Sequence, residues 1–209
     1  MLDKKIVLVG YSGHAYVVGD SLLKKKISIT HYTEKSEVNF NPFDLNFLGN
    51  ESSDTFLGWG KNYAFALCIG DNKLRTKSGE LILLKEEELI NVIDINSSVS
   101  TFLEIGQGNF IAKNVSVNAF CKIGNFCIIN TGSIIEHECV IDNGVHIAPG
   151  AVLAGNVSVG ENSFIGANSV IKQGVCIGKN VIVGAGTVVL KDIEDNNIIV
   201  GNPGRKIVK

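Results

Sequence analysis

The chain has 209 residues, enough for one or two domains, and its 45% apolar and 19% charged content belongs to a globular protein with ample core material. Its 19 basic and 21 acidic residues leave a net charge of −2 with no basic stripe, which argues against nucleic acid as a partner. No apolar run reaches the roughly 18 residues of a membrane span, and five cysteines, an odd number, suit a reducing cytoplasm better than a disulfide framework.

In chain order, Met1-Leu2-Asp3-Lys4-Lys5 leads straight into Ile6-Val7-Leu8-Val9, a buried strand and not a secretion signal. Gly10-Tyr11-Ser12-Gly13-His14 follows, then an amphipathic stretch to Lys26 and a second strand from Ile27 to Thr33. Phe65-Ala66-Leu67-Cys68-Ile69 reads as a third strand, running into Gly70-Asp71-Asn72, a helical segment through Glu88 and a short strand from Leu89 to Ile93. Residues 36–62 carry no assignment. Strands alternating with helices predict a small parallel α/β domain over residues 1–96.

From Val99 the pattern changes to a strict six-residue repeat. The first position reads Val99, Ile105, Ile111, Val117, Ile123, Ile129 and continues in Ile, Val or Leu to Val189. The fifth position is small or β-branched at most steps, as in Cys121, Cys127, Ser133, Cys139 and Ala151, so packing accounts for those cysteines. Such a period belongs to a parallel β-helix, whose units bury their apolar side only by stacking. Three hexads close a triangular coil of eighteen residues, so residues 97–209 form a prism of a little over five coils, about 25 Å tall, with a C-terminal tail. A β-sandwich predicts alternation of period two and does not explain the unbroken phase.

Three clusters can carry chemistry. The glycine turn Gly10 to His14 lets a ligand approach the backbone and offers helix-opening amides to a phosphate, although it is not a GxGxxG fingerprint and the alternative reading is glycine serving turn geometry alone. Glu34, Lys35 and Gly70 to Asn72 also fall at carboxyl ends of strands, where sheets of this class bind ligands. In the prism, His137 occupies the outward third position between Glu136 and Glu138, a general-base arrangement in which a carboxylate fixes the imidazole tautomer. Gly155 lies one coil above it, and Pro149, Ala167 and Ala185 stack into a neighbouring column with little bulk, fit for a long thin ligand. Of the histidines His14, His31, His137 and His146, only two lie in the prism, short of a catalytic zinc set, so no metal is expected.

The motifs Gly10-Tyr11-Ser12-Gly13-His14, Ile69-Gly70-Asp71-Asn72-Lys73-Leu74-Arg75, Ile129-Asn130-Thr131-Gly132-Ser133, Glu136-His137-Glu138-Cys139 and Gly201-Asn202-Pro203-Gly204-Arg205-Lys206 together resemble a known family. It is the hexapeptide-repeat sugar acyltransferases of the sialic acid O-acetyltransferase-like group, which includes N-acetyltransferases of nucleotide-linked 4-amino sugars in bacterial glycan synthesis. The resemblance implies a left-handed parallel β-helix behind a Rossmann-like sugar-nucleotide-binding domain, and a cytoplasmic homotrimer with active sites between adjacent prisms. It further implies acetyl-CoA as acyl donor and a nucleotide-linked amino sugar as acceptor. By similarity, His137 is the general base and Glu138 its partner, while His146 and the Gly155 amide contact the acetyl end of the donor. Ala167 and Ala185 line the pantetheine path, Asn130 touches the sugar, and Gly10, Ser12, Gly13, His14 and Gly70 hold the nucleotide. Family members that bind a uridine nucleotide carry acidic residues after the second strand, where this chain has Glu34-Lys35, so the nucleotide stays open. Two other readings stay open as well: O-acetylation of sialic acid or another surface sugar, and a non-catalytic trimeric scaffold that binds sugar nucleotides.

Overall fold

The computed structural model describes residues 4–207; Met1-Leu2-Asp3, the start of the expected run into the first strand, lies outside the described residues. The first element is β1 (Lys5–Val9), whose apolar run is fully buried. It pairs in parallel with β2 (Ile29–Thr33) on one side and β4 (Tyr63–Leu67) on the other. The edges are β3 (Asn46–Phe47) beside β2 and β5 (Glu88–Leu89) beside β4, giving the order β3-β2-β1-β4-β5. The stretch 36–62 thus contributes an edge strand that its composition did not announce. Two helices make the crossovers, α1 (Gly13–Lys24) and α2 (Asn72–Leu84), both shorter at the C-terminal end than the sequence predicts.

The expected strand Leu89 to Ile93 divides. Leu89 stays in the α/β sheet, while Val92–Ile93 pairs with Phe110–Ile111 and opens the prism. From there parallel pairs join residues eighteen apart and build three faces. Face one stacks Ser98–Val99, Ser116–Val117, Ile134–Ile135, Val152–Leu153, Val170–Ile171 and Val188–Val189. Face two stacks Glu104–Ile105, Lys122–Ile123, Val140–Ile141, Ser158–Val159 and Cys176–Ile177. Face three runs from Val92–Ile93 through Phe110–Ile111, Ile128–Ile129, His146–Ile147, Phe164–Ile165 and Ile182–Val183 to Ile198–Val200. The closing coil is tighter: Ile182 pairs with Ile198, sixteen residues on, so the phase ends at Val189. Arg205–Lys206 then returns antiparallel along Ile198–Val200.

First-position residues such as Ile111, Ile129, Ile147 and Ile165 are wholly buried along the axis, and Cys121, Cys127 and Cys139 are buried beside them. The fourth position is where the chain turns. It takes positive φ at each coil from Gly108 to Gly186, and is Gly or Asn except at Phe120, Phe126 and Glu138.

The α/β domain straddles face three. At the corner between faces two and three, Asn72 Nδ2 donates to Asn162 O (3.0 Å) and Ser163 O (3.1 Å), and Thr76 Oγ1 donates to Asn162 Oδ1 (3.0 Å). At the corner between faces three and one, Asp20 pairs with Lys113, and Ser21 Oγ donates to the buried Asp94 carboxylate at 2.6 Å. Arg75 of α2 is the main bolt, only 1% exposed. Its guanidinium donates to Phe126 O (2.7 Å), Ile69 O (3.1 Å), Gly70 O (2.9 Å), Gly144 O (2.9 Å) and Asn72 Oδ1 (2.9 Å).

Candidate functional site

His137 projects from the corner between faces one and two, where the coil turns through Glu138 at φ +61°. Its Nδ1 lies 3.0 Å from Glu138 Oε2, and both side chains are exposed. A neutral imidazole donating from Nδ1 to that carboxylate carries its lone pair on Nε2, the form a general base needs. The ring stacks over buried Gly155 in the next coil. A Cβ on Gly155 would sit 2.5 Å from His137 Cε1 and 2.6 Å from Nε2, so only glycine leaves the imidazole in this pose. Pro149, Ala167 and Ala185 line the next corner, between faces three and one. Asn168 N bonds Pro149 O at 3.0 Å and Gly186 N bonds Ala167 O at 2.8 Å, so the three stack in register, with little side chain to obstruct a slender ligand.

On the α/β domain, Gly10 has φ +84° and turns the chain out of β1 toward α1. Ser12 is the N-cap residue of α1 but makes no side-chain capping bond, so amides of Gly13 and His14 stay available to an anion. The Glu34 carboxylate is committed locally: it accepts from Tyr11 N (3.2 Å) and Lys35 N (2.9 Å), bracing the glycine turn from the end of β2. Lys35 is exposed beside it.

Between the two domains, His14 at the start of α1 and His146 on face three converge near Arg75. Burial, with the nearby Arg75 charge, lowers the His14 pKa to about 4, and burial with Arg75 and His14 lowers His146 to about 3. Both rings are therefore neutral at physiological pH. Asn130 Nδ2 lies 3.1 Å from His146 Nε2, while His14 Nε2 and His146 Nδ1 are buried with no hydrogen-bond partner among the described residues. Unpaired buried nitrogens of this kind call for a ligand or water. Beyond His146, whose ring meets Phe164 edge-on at 5.0 Å, a cleft of about 390 Å³ opens between Gly70–Lys73 and face three at Phe164 and Ile182.

The expected residues thus fall into separated groups. Gly10, Ser12, Gly13, His14, Gly70, Asn130 and His146 share one side of the molecule, around face three. His137, Glu138 and Gly155 sit on the opposite corner of the prism. The part played by Arg75 is not legible in its motif, because its partners in the prism, Phe126, Gly144 and Val145, lie 51 to 70 residues away along the chain. Its one sequence signal is an arginine on a helix face otherwise facing the core. Among the described residues no group of three or more His, Cys, Asp or Glu is placed to hold a metal ion.

Three family profiles match the chain: PglD N-terminal domain over residues 5–82, bacterial transferase hexapeptide (six repeats) over 120–155, and hexapeptide repeat of succinyl-transferase over 156–191. A search of curated proteins gave no match. Among solved structures, a mutant of perosamine N-acetyltransferase from Caulobacter crescentus, in complex with CoA and GDP-perosamine, is 31% identical. It superposes with a TM-score of 0.94 over 99% of this chain and 98% of that one. The acetyltransferase domain of PglB from Neisseria gonorrhoeae FA1090, in complex with acetyl coenzyme A, is 27% identical with a TM-score of 0.91, covering 98% and 99%. WeeI from Acinetobacter baumannii AYE is 26% identical with a TM-score of 0.86, covering 98% and 100%.

Proposed function

The chain belongs to the hexapeptide-repeat sugar acetyltransferases with a PglD-type N-terminal domain and a left-handed β-helix, and from that membership we propose that it transfers acetyl from acetyl-CoA to the amine of a nucleotide-linked sugar, for bacterial surface glycan synthesis. The observation that carries the reading is the His137 pose: Nδ1 on Glu138, Nε2 free and the ring seated on Gly155 at an open corner. The 31% identity over nearly the whole length to a protein crystallised with CoA and GDP-perosamine supports the substrate class.

In this mechanism His137 Nε2 takes a proton from the acceptor amine as its nitrogen forms a bond to the thioester carbonyl carbon. The imidazolium is held by Glu138, and the Gly155 amide faces the developing oxyanion. Collapse breaks the carbon–sulfur bond, and His137 returns the proton to the leaving thiolate. Direct transfer without an acyl-enzyme is supported by the cysteines: Cys121, Cys127 and Cys139 are buried, and the exposed Cys176 stands on face two, two coils above Val140. The low-bulk column of Pro149, Ala167 and Ala185 has room for the pantetheine arm, and His146 with Asn130 would orient acetyl and sugar.

The division of labour follows: residues 1–96 hold the nucleotide at Gly10, Ser12, Gly13, His14 and Gly70, with Glu34 and Lys35 near the ribose, and residues 97–209 carry the transfer. Because His137 lies on the corner opposite face three, one chain does not close the site. A homotrimer does, with His137 of one protomer meeting the glycine turns of its neighbour. The test is a CoA-release assay with acetyl-CoA and UDP-, GDP- and dTDP-linked amino sugars beside free sialic acid. Release with one nucleotide amino sugar is expected. Release with sialic acid alone would transfer the enzyme to the O-acetylating branch, and silence throughout would favour a binding scaffold.

A further inference from the structure

From Gly108 to Gly186 the fourth position of each hexad takes left-handed backbone, and the chain supplies Asn or Gly there with three exceptions, Phe120 (φ +62°), Phe126 (φ +60°) and Glu138 (φ +61°). A bulky aromatic residue in that region is a steric outlier that something must compensate. For Phe126 the compensation is packing: it is 4% exposed and clusters with Val7, Phe65, Ile82 and Leu89 of the α/β domain. For Glu138 it is the bond to His137. For Phe120 the folded chain offers little. It is 62% exposed, and its recorded ring partner is Phe102, one coil down and 63% exposed, at 5.2 Å with planes tilted by 34°.

Phe102, Phe120 and Glu138 are eighteen residues apart and stand in one column on the His137 corner. Glu138 N bonds Ala119 O at 3.1 Å, which fixes Phe120 directly beneath. At ~4.8 Å per coil the two rings form a ledge about 5 and 10 Å below the carboxylate, the span of one pyranose and its first substituents. Beside the ledge the third positions are small, Thr101 and Ala119, so the ring faces are open. Its rim is polar, with Asn118 Nδ2 donating to Glu136 Oε2 at 2.8 Å.

We propose that Phe102 and Phe120 are the specificity platform for the acceptor, seating the apolar C–H face of its sugar ring so that the amine points up to His137. The assignment rests on the acetyltransfer reading.

The experiment compares wild type with Phe120→Asn and Phe102→Ser, measuring KM for the acceptor, KM for acetyl-CoA, melting temperature and oligomeric state. Asn is at ease where Phe120 is strained, so Phe120→Asn should melt at or above the wild-type temperature and keep its assembly. Acceptor KM should rise about tenfold, with acetyl-CoA KM unchanged. An unchanged acceptor KM in both variants would overturn the platform while leaving the reaction standing. Dissociation or a lower melting temperature would make the ledge a subunit contact instead. Wild-type silence toward every nucleotide-linked amino sugar would overturn the reaction itself and the platform with it.

Discussion

Gly155 and His137 make a pair whose two members have separable tests. Replacing His137 by Ala removes the proposed base and should lower kcat by about 10²–10⁴, with stability nearly unchanged because the side chain is exposed. Gly155→Ala keeps the base but pushes its ring aside, and a displacement near 1 Å at a reacting atom costs about 10² in rate. Near-normal turnover in His137→Ala would remove His137 from the mechanism, and near-normal turnover in Gly155→Ala would deny that the ring must sit on Gly155 to act. The buried imidazoles make a different prediction. With folded pKa values of about 4 for His14 and about 3 for His146, the unfolded chain binds more protons than the native one below pH 6.5. Their contribution is fully present above pH 6.5 and is lost as pH falls toward 4, on the order of 2–3 kcal/mol for each. Chemical denaturation from pH 7.5 to 4.5 should show this decline, and His146→Asn should flatten it.

Among the elements, α2 joins the two domains through one side chain. Arg75→Met leaves the carbonyls of Phe126, Gly70 and Gly144 without their donor in a dry interface, so it should destabilise by about 3 kcal/mol or more. Urea unfolding followed by Trp59 fluorescence for the α/β domain and by circular dichroism for the prism should separate into two transitions. Coincident curves with wild-type midpoint would deny Arg75 this part. The contrast with the prism shows what a sequence exposes. The hexad period made the stack legible from Val99 to Val189 because each coil repeats the same local demand. Ile93 is in phase too, yet a single unit carries no repeat signal, and Val92–Ile93 read as part of the α/β sheet. The fourth-position Asn and Gly series was also visible and explains the turns. His137 and Glu138 were legible as neighbours in sequence. The separation of His137 from the glycine turns was not, since it depends on which face the α/β domain covers, and that is settled by Arg75, Asn72 and Asp20 meeting partners far along the chain.

For the whole molecule, that separation gives the sharpest forecast. If each site takes His137 from one protomer and the nucleotide turn from its neighbour, two dead variants should complement each other. Mixing His137→Ala with Gly13→Asp, then denaturing and refolding together, should restore about one quarter of wild-type activity, the fraction of interfaces built from two intact halves. Mixtures as inactive as their parents would mean that sites form within one chain. The β-helix also has an end, and Arg205–Lys206 closes part of it by running back along Ile198–Val200 with two cations on its exposed strand. An open solenoid is a template whose last rung invites another, and charged antiparallel return strands are poor seeds for growth. The tail therefore acts as a chain terminator: it keeps an assembly built from endlessly stackable rungs from polymerising into a fibre.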